Sequence, residues 1–367
     1  MEPATRSSCA PLKRGWTTGA CAAAATRAAY TALLTGTFPD PVSIVLPKGQ
    51  NPSFPLAREG LNADWAEAGI IKDAGDDPDV THGALVLARV RHGTAGSGVS
   101  FRAGEGVGTV TLPGLPIEPG QPAINPVPRQ MIRKEIAEVA ELHHGSGDAV
   151  VEISIPGGDK LAQKTWNPRL GIKGGLSILG TTGIVNPFSC SAWIHSIHRG
   201  IDVAIARGTP HIAGATGSTS EAAAQKLYGL PDEAMIDMGD FAGGMLKYLR
   251  RRPVPKVTIA GGFAKMTKLA QGFLDLHSGR SQVDFDWLAS RIETKLRDQG
   301  LAAQARACNT ALEALTLAGE RGPDLANCVA NSAVETALAV IKDAPIEFDV
   351  MVIDRQGRII GRSEPRG

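Results

Sequence analysis

The order of apolar and polar positions changes character about halfway along the chain. Between Pro41 and Gly114, short apolar or alternating runs are cut by turn residues, which is the pattern of strands in a mostly antiparallel sheet. A helix is predicted between Pro126 and Gly145 from apolar residues at helical spacing: Met131, Ile132, Ile136, Val139 and Leu142. We therefore expect an α+β domain over residues 1–170.

After Gly171, strands alternate with helices of roughly 10 to 18 residues, as in a parallel, doubly wound sheet. The strand cores are almost continuously apolar, which fits strands covered on both faces. This pattern predicts a Rossmann-like parallel α/β/α domain over residues 171–280. Residues 281–367 are predicted to be chiefly helical and to end in a hairpin, both packing back on the other domains.

Composition and charge exclude several classes of protein. The 367 residues have a formal net charge of +1, which argues against nucleic acid or an acidic membrane as a partner recognised by charge. The five cysteines form no CxxC pair and no signal peptide is visible, so a cytoplasmic protein is expected. His195 and His198 lie three apart without a third ligand, so no metal site is predicted. Oligomeric state stays open, a homo-oligomer included.

Four predicted strands of the second half end in glycine-rich turns: GTTG (Gly180–Gly183), GATG (Gly214–Gly217), MGDF (Met238–Phe241) and GGFAK (Gly261–Lys265). Ligands of open parallel sheets bind at the carboxyl ends of the strands. Glycine at those ends lets a ligand approach the backbone, and helix N-termini offer N–H groups to an anion. The four turns therefore predict one shared ligand site, with a purely structural role of the glycines as the alternative.

Neither GxGxxG nor GxxxxGK[ST] is present, so the sequence does not indicate a dinucleotide or a nucleotide bound by a P-loop. S-adenosylmethionine fits the parts: backbone N–H groups for its carboxylate, Asp237 or Asp240 for hydroxyl or ammonium groups, and Met238 and Phe241 for the adenine faces. The predicted cofactor-binding residues are Gly180, Thr181, Thr182, Gly183, Gly214, Thr216, Gly217, Met238, Gly239, Asp240, Phe241, Gly261 and Gly262.

A second candidate anion site lies near the start of the chain. Thr17, Thr18 and Gly19 precede an alanine-rich run, which predicts a helix whose first N–H groups point outward. A well-packed core helix without a binding role explains the same residues equally well.

Four motifs resemble those of the CbiD family, the cobalt-precorrin-5B C1-methyltransferases of cobalamin synthesis. They are RGWTTGACAAAATRAA, NPRLGIKGGLSILGTTGIV, MGDFAGG and HSGRSQVD, in the family's order along nearly the whole chain. The resemblance implies methyl transfer from S-adenosylmethionine to carbon 1 of a corrin precursor, with a Rossmann-like part carrying the cofactor.

The resemblance also implies which residues serve the site. Asp240 and His277 are expected to be catalytic. The acetate and propionate arms of the ring require guanidinium and ammonium partners. The predicted substrate-binding residues are Arg14, Thr17, Thr18, Gly19, Arg169, Lys173 and Lys265. Two alternative functions stay open, a nicotinamide-dependent tetrapyrrole reductase and a non-catalytic corrinoid carrier.

Overall fold

A computed structural model describes residues 11–367 as two compact units, the first ending at Cys190 and the second spanning Ser191–Gly367. Each unit has its own sheet and its own hydrophobic core. The expected mixed α/β chain with several sheets is confirmed. The first unit extends to Cys190, beyond the predicted boundary at residue 170, and the tail after residue 280 belongs to the second unit.

In the first unit the described strands are β1 (Gly15–Trp16), β2 (Val42–Ser43), β3 (Ser53–Phe54), β4 (Arg58–Leu61), β5 (Trp65–Ile71), β6 (Leu85–His92), β7 (Val99–Ala103), β8 (Thr109–Val110), β9 (Ala149–Ser154), β10 (Ile172–Lys173) and β11 (Ile184–Val185). The described helices are α1 (Thr18–Thr35), α2 (Pro126–His143) and α3 (Gly158–Ala162). The main sheet has the order β4-β5-β6-β9-β7, and its pairs are antiparallel except β7 with β9.

The alanine-rich helix α1 forms the centre of the first core. The Thr17 hydroxyl accepts a hydrogen bond from Ala20 N at its start, and Gly36 ends it with a φ of +80°. Its small side chains are almost all buried, which lets the helix lie close to β5 and β6 on one side and α2 on the other. Alanine is therefore used here for close packing as well as for helix propensity.

In the second unit the described strands are β12 (His211–Ala215), β13 (Met235–Asp237), β14 (Lys256–Gly262), β15 (Glu347–Ile353) and β16 (Ile359–Arg362). The described helices are α4 (Cys190–Ala206), α5 (Ser218–Tyr228), α6 (Ala242–Leu249), α7 (Phe263–Ala270), α8 (Phe285–Arg291), α9 (Gln299–Arg306), α10 (Ala311–Leu317) and α11 (Gly322–Ile341).

The sheet of the second unit has the order β13-β12-β14-β15-β16 and is parallel except for β16. Alternate strand residues enter two different cores. Ile212 and Ile259 belong to the large core that also contains α6, α7 and α11, while Ala213 and Ala260 face the smaller core beneath α5. The sheet is thus covered on both faces, as its apolar strands require. Within residues 11–367, no helix is both long enough and apolar enough to cross a membrane.

Candidate functional site

Two loops and the start of a helix in the second unit meet at the ammonium group of Lys265. Thr216 follows β12, Asp240 follows β13, and Lys265 lies in the first turn of α7, directly after β14. Lys265 Nζ donates to the carbonyl oxygen of Thr216 at 3.1 Å and lies 3.0 Å from Asp240 Oδ1. Neighbouring parallel strands end at one edge of the sheet, so residues distant in sequence converge there.

The glycines at these strand ends divide into two kinds. A Cβ on Gly217 would meet no atom within 4 Å, and on Gly262 only Ile353 O at 4.0 Å, so both line open space. A Cβ on Gly214 would instead lie 2.4 Å from Met245 Sδ, and on Gly261 2.6 Å from Met266 Cε. The first pair leaves room for a ligand, while the second pair is needed for internal packing.

Asp240 Oδ1 is the one buried side-chain nitrogen or oxygen atom in residues 11–367 that has no hydrogen bond. Lys265 Nζ is within ion-pair distance of this oxygen but outside hydrogen-bond geometry. A second amine, that of Lys268, is buried nearby and donates to Leu276 O at 3.1 Å. Burial lowers the pKa of Lys268, although the charge of Asp240 opposes this effect. The site therefore combines one carboxylate with an unused acceptor and two amines.

An indole that the sequence analysis missed covers the end of β13. Trp193, in the first turn of α4, donates from Nε1 to Asp237 O at 3.0 Å and is 43% exposed. Its ring centroid lies 6.2 Å from that of Phe241. Gly239 has a φ of +56°, and a Cβ there would approach Trp193 Cζ2 to 3.2 Å. Glycine at this position lets the indole lie against the backbone.

Two predicted ligand contacts look different in the structure. Met238 is fully buried in the large core, so its side chain lies below the surface that an adenine ring would contact. The prediction that Met238 contacts the adenine is therefore corrected. His277 is exposed, and its Nδ1 accepts a hydrogen bond from Gly279 N at 3.1 Å, which leaves Nε2 as the outward nitrogen. Leu276 N donates to Asp240 O at 2.8 Å, so His277 directly follows a residue hydrogen-bonded to the site.

The GTTG segment does not end a strand of the parallel sheet, and this part of the prediction is wrong. Gly180–Gly183 belong to the first unit, where β11 pairs antiparallel with β1. A Cβ on Gly180 would lie 2.3 Å from Thr17 Oγ1, and on Gly183 2.5 Å from Leu46 Cδ2. Three of the four predicted turns therefore follow strands of the parallel sheet, while Gly180 is needed for close packing against Thr17 and Gly183 for close packing against Leu46.

The first N–H groups of α1 are not free, in contrast to the expected outward-pointing donors. Gly19 N donates to Leu179 O at 2.9 Å, and Ala20 N donates to Thr17 Oγ1 at 3.1 Å. The Thr18 hydroxyl also donates to Leu179 O, at 3.2 Å. The residues Thr17, Thr18 and Gly19 thus join two motifs of the first unit through their own hydrogen bonds.

The remaining basic residues predicted to bind substrate lie in the first unit. Arg14 is exposed and pairs through its backbone with Gly75. The guanidinium carbon of Arg169 lies 5.8 Å from the ring centroid of Trp166. Lys173 lines a cavity of about 330 Å³ together with Asp159, Ala162, Gln163, Pro168, Ile172, Gly174 and Gly175. Lys265, also predicted from the sequence to bind substrate, lies at the strand ends of the second unit.

Similarity to named proteins extends over nearly the whole chain. Proteins of Brucella anthropi and Bradyrhizobium sp. are each 61% identical, over 353 and 352 residues, covering 96% of this chain and 96% and 94% of those proteins. A Paramagnetospirillum magneticum protein is 59% identical over 350 residues, 95% of this chain and 98% of its own. All three are named cobalt-precorrin-5B C(1)-methyltransferase.

A crystal structure of an Archaeoglobus fulgidus protein, described as cobalamin biosynthesis protein (cbiD), is 26% identical. It covers 69% of this chain and 77% of its own, with a TM-score of 0.40. The family model CbiD matches residues 5–187, and the model of the CbiD C-terminal domain matches residues 275–364. The family models and the three similar proteins confirm the resemblance of the motifs, and this chain belongs to the CbiD family.

Proposed function

We propose that this protein transfers a methyl group from S-adenosylmethionine to carbon 1 of cobalt-precorrin-5B, or of its metal-free analogue, to give (cobalt-)precorrin-6A in cobalamin biosynthesis. The observation that carries the proposal is the near-full-length identity of 59–61% to three proteins that bear this name. Identity of that extent covers both units, so the proposal concerns the whole chain.

The methyl donor is proposed to bind at the strand ends of the second unit, which we take as the Rossmann-like part. Open space above Gly217 and Gly262, and the unused buried acceptor Asp240 Oδ1, support this assignment. Lys265 would hold the carboxylate of the donor, Asp240 its ammonium or hydroxyl groups, and Trp193 the adenine ring. An ammonium, a carboxylate and an aromatic surface match the three recognisable parts of the ligand.

When bound, S-adenosylmethionine would supply a methyl group to a ring carbon, the new C–C bond forming as the C–S bond breaks and its electron pair leaves with sulfur as S-adenosylhomocysteine. The chain's own contribution is then positional. Holding two reactants in line contributes about 7–11 kcal/mol to a bimolecular step, more than the roughly 3–5 kcal/mol of general acid–base help. Asp240 and His277 are proposed to orient and hold protons near the reacting groups.

The test is the reaction itself, run with methyl-labelled S-adenosylmethionine and cobalt-precorrin-5B. We expect a mass gain of one labelled methyl on the ring, equimolar S-adenosylhomocysteine, and a label on carbon 1 by NMR. A nicotinamide-dependent reductase would instead bind a dinucleotide tightly and add hydrogen without the label. A corrinoid carrier would bind the ring and return it unchanged. Either result would refute the proposal.

The donor site is tested separately with Gly217→Asn. Gly217 has extended backbone angles and precedes the first turn of α5, where asparagine is a favourable helix cap, so the fold should be kept. Its side chain would fill the open space, and we expect at least about tenfold weaker S-adenosylmethionine binding by calorimetry. The control Ala222→Asn, on the exposed side of α5, should bind the donor normally. Equal binding by both variants would place the donor elsewhere.

A further inference from the structure

A groove of about 340 Å³ lies at the start of α2 in the first unit. It is lined by Pro116, Ile117, Glu118, Gln121, Pro126, Arg129, Gln130 and Arg133. Two of these side chains are guanidinium groups and two are neutral amides, so the groove is rich in hydrogen-bond donors. None of the residues predicted from the sequence to bind a ligand lines it.

The two arginines of the groove share one aromatic ring and have no carboxylate partner. The guanidinium carbons of Arg129 and Arg133 each lie 5.1 Å from the ring centroid of Phe101. Among residues 11–367 no carboxylate comes within 4.0 Å of either group, Glu118 included. Burial and then the like charge of Arg133 lower the pKa of Arg129. Two unneutralised cations held side by side favour an incoming anion.

One arginine is fixed in place by the backbone beneath it. Arg129 Nε donates to Ile124 O at 2.8 Å, and its Nη2 donates to Pro122 O at 3.0 Å. Arg133 is exposed and lies over the ring of Phe101, and its guanidinium has no hydrogen bond or ion pair within residues 11–367. The groove therefore has one preorganised guanidinium and one that is able to turn toward a ligand.

Helix direction adds to the positive potential at this end of the first unit. Gly19 in the first turn of α1 approaches Pro128 in the first turn of α2, and Arg27 further along α1 pairs with Glu135. The two helices therefore run parallel and start at the same end. Neither has an acidic residue in its first turn. The start of α2, which has no acidic residue in its first turn, therefore adds positive potential to the groove that it lines.

We propose that the groove of Arg129 and Arg133 binds a carboxylate arm of the corrinoid substrate. This inference rests on the proposed function, since a ring with acetate and propionate arms is the ligand that supplies such a carboxylate. Pro128, the neighbour of Arg129, packs against Gly19 of the RGWTTG motif, which connects the groove to a segment predicted from the sequence to bind substrate. Arg133 contacts the carboxylate, and the anchored Arg129 fixes its position.

The test compares Arg133→Gln with Arg102→Gln. Arg102 follows Phe101 on β7, is exposed and does not line the groove, so both variants lose one positive charge from the same region. Arg129 is left unchanged because its bonds to Pro122 and Ile124 support the fold. Dissociation constants for cobalt-precorrin-5B are measured by absorbance, and KM and kcat with saturating S-adenosylmethionine.

We expect Arg133→Gln to raise the dissociation constant and KM of the ring about tenfold, with kcat and donor affinity unchanged. Arg133→Lys keeps the charge and should recover most of the affinity. Arg102→Gln should behave as the wild type. A fully amidated corrinoid should bind the wild type and Arg133→Gln equally, because it offers no carboxylate.

Equal ring binding by Arg133→Gln and Arg102→Gln would overturn the inference, and so would an equal loss for the amidated ring. Failure of the proposed function gives a different result. In that case the wild type yields no methylated ring, while its ring binding still reports on the groove. A wild type that does not bind the carboxylated ring overturns both.

Discussion

A buried ion pair supports the loop on which the RGWTTG motif rests. The side chain of Lys72 is only 1% exposed, and its Nζ lies 2.6 Å from Asp79 Oδ2. Asp79 is 26% exposed and also accepts hydrogen bonds from the backbone N–H and the hydroxyl of Thr81, at 2.8 and 2.6 Å. The loop begins at Asp73, whose carbonyl accepts a hydrogen bond from Trp16 N at 2.7 Å. Removing either charge should therefore destabilise this loop and, through it, the RGWTTG motif.

The two single substitutions should have unequal effects. Asp79→Asn leaves a fully buried ammonium without its counter-charge, which costs 3–5 kcal/mol in buried pairs; because this carboxylate is partly exposed, we expect a loss of about 3 kcal/mol in the free energy of unfolding. Lys72→Met removes the buried charge and leaves Asp79 bound to Thr81, so we expect about 1 kcal/mol. The double variant should recover most of the loss caused by Asp79→Asn.

Urea unfolding followed by tryptophan fluorescence measures these differences, and its pH dependence provides a second check. Burial alone would raise the pKa of Asp79, but the charge and hydrogen bond of Lys72 and the bonds from Thr81 lower it below its ordinary value. The stability gained from this carboxylate is present above its ordinary pKa of about 3.9 and is lost as the pH falls through the lowered value. The variant Asp79→Asn should lack this part of the decrease in the free energy of unfolding at acid pH.

Two results would refute the reasoning. The first is equal destabilisation by Asp79→Asn and Lys72→Met, with additive effects in the double variant, because a buried pair must show coupling between its members. The second is an unchanged acid dependence in Asp79→Asn.

Three further substitutions test other parts of the structure. Gly183→Val should lower the free energy of unfolding by about 2 kcal/mol, because a φ of +82° and the contact with Leu46 leave no place for a side chain; an unchanged melting temperature would contradict this. Lys265→Met should weaken S-adenosylmethionine binding about tenfold in calorimetry by removing the proposed carboxylate partner, and undiminished affinity would exclude that role. Trp193→Leu should weaken donor binding about fivefold and abolish any donor-induced change in tryptophan fluorescence near Phe241, whereas full retention of that change would exclude stacking on this indole.

The strand ends of the second unit could be predicted from the sequence because several local features indicate each of them. β12 and β14 are apolar on both faces, each is followed by a helix, and carboxyl ends of parallel strands share an edge. Thr216, Asp240 and Lys265 therefore had to come together once the strands were identified. The contribution of Trp193 was not predictable in this way, since it depends on the missing side chain of Gly239, far away in sequence.

The GTTG segment shows where the same reasoning fails. An apolar run that ends in glycine indicates a buried strand followed by a turn, but it does not indicate which strand it pairs with. β11 is only two residues long and pairs with β1, and the space that Gly180 leaves is filled by Thr17. A long parallel strand can be predicted from its continuous run of apolar residues. The pairing of a two-residue strand depends on tertiary contacts, which the periodicity of the sequence does not encode.

Charge balance at the strand ends of the second unit limits how the proposed donor can lie there. S-adenosylmethionine has a sulfonium, an ammonium and a carboxylate, so a site with two charged lysines and one aspartate would repel it. Lys268 donates to Leu276 O at 3.1 Å, so the dipole of this carbonyl offsets part of its charge. Lys265 and Asp240 form an opposite pair, and Asp240 Oδ1 is an unused acceptor. An amino acid group with its carboxylate toward Lys265 and its ammonium toward Asp240 satisfies both charges, and this orientation leaves the sulfonium outside the pair, where a ring carbon can approach it.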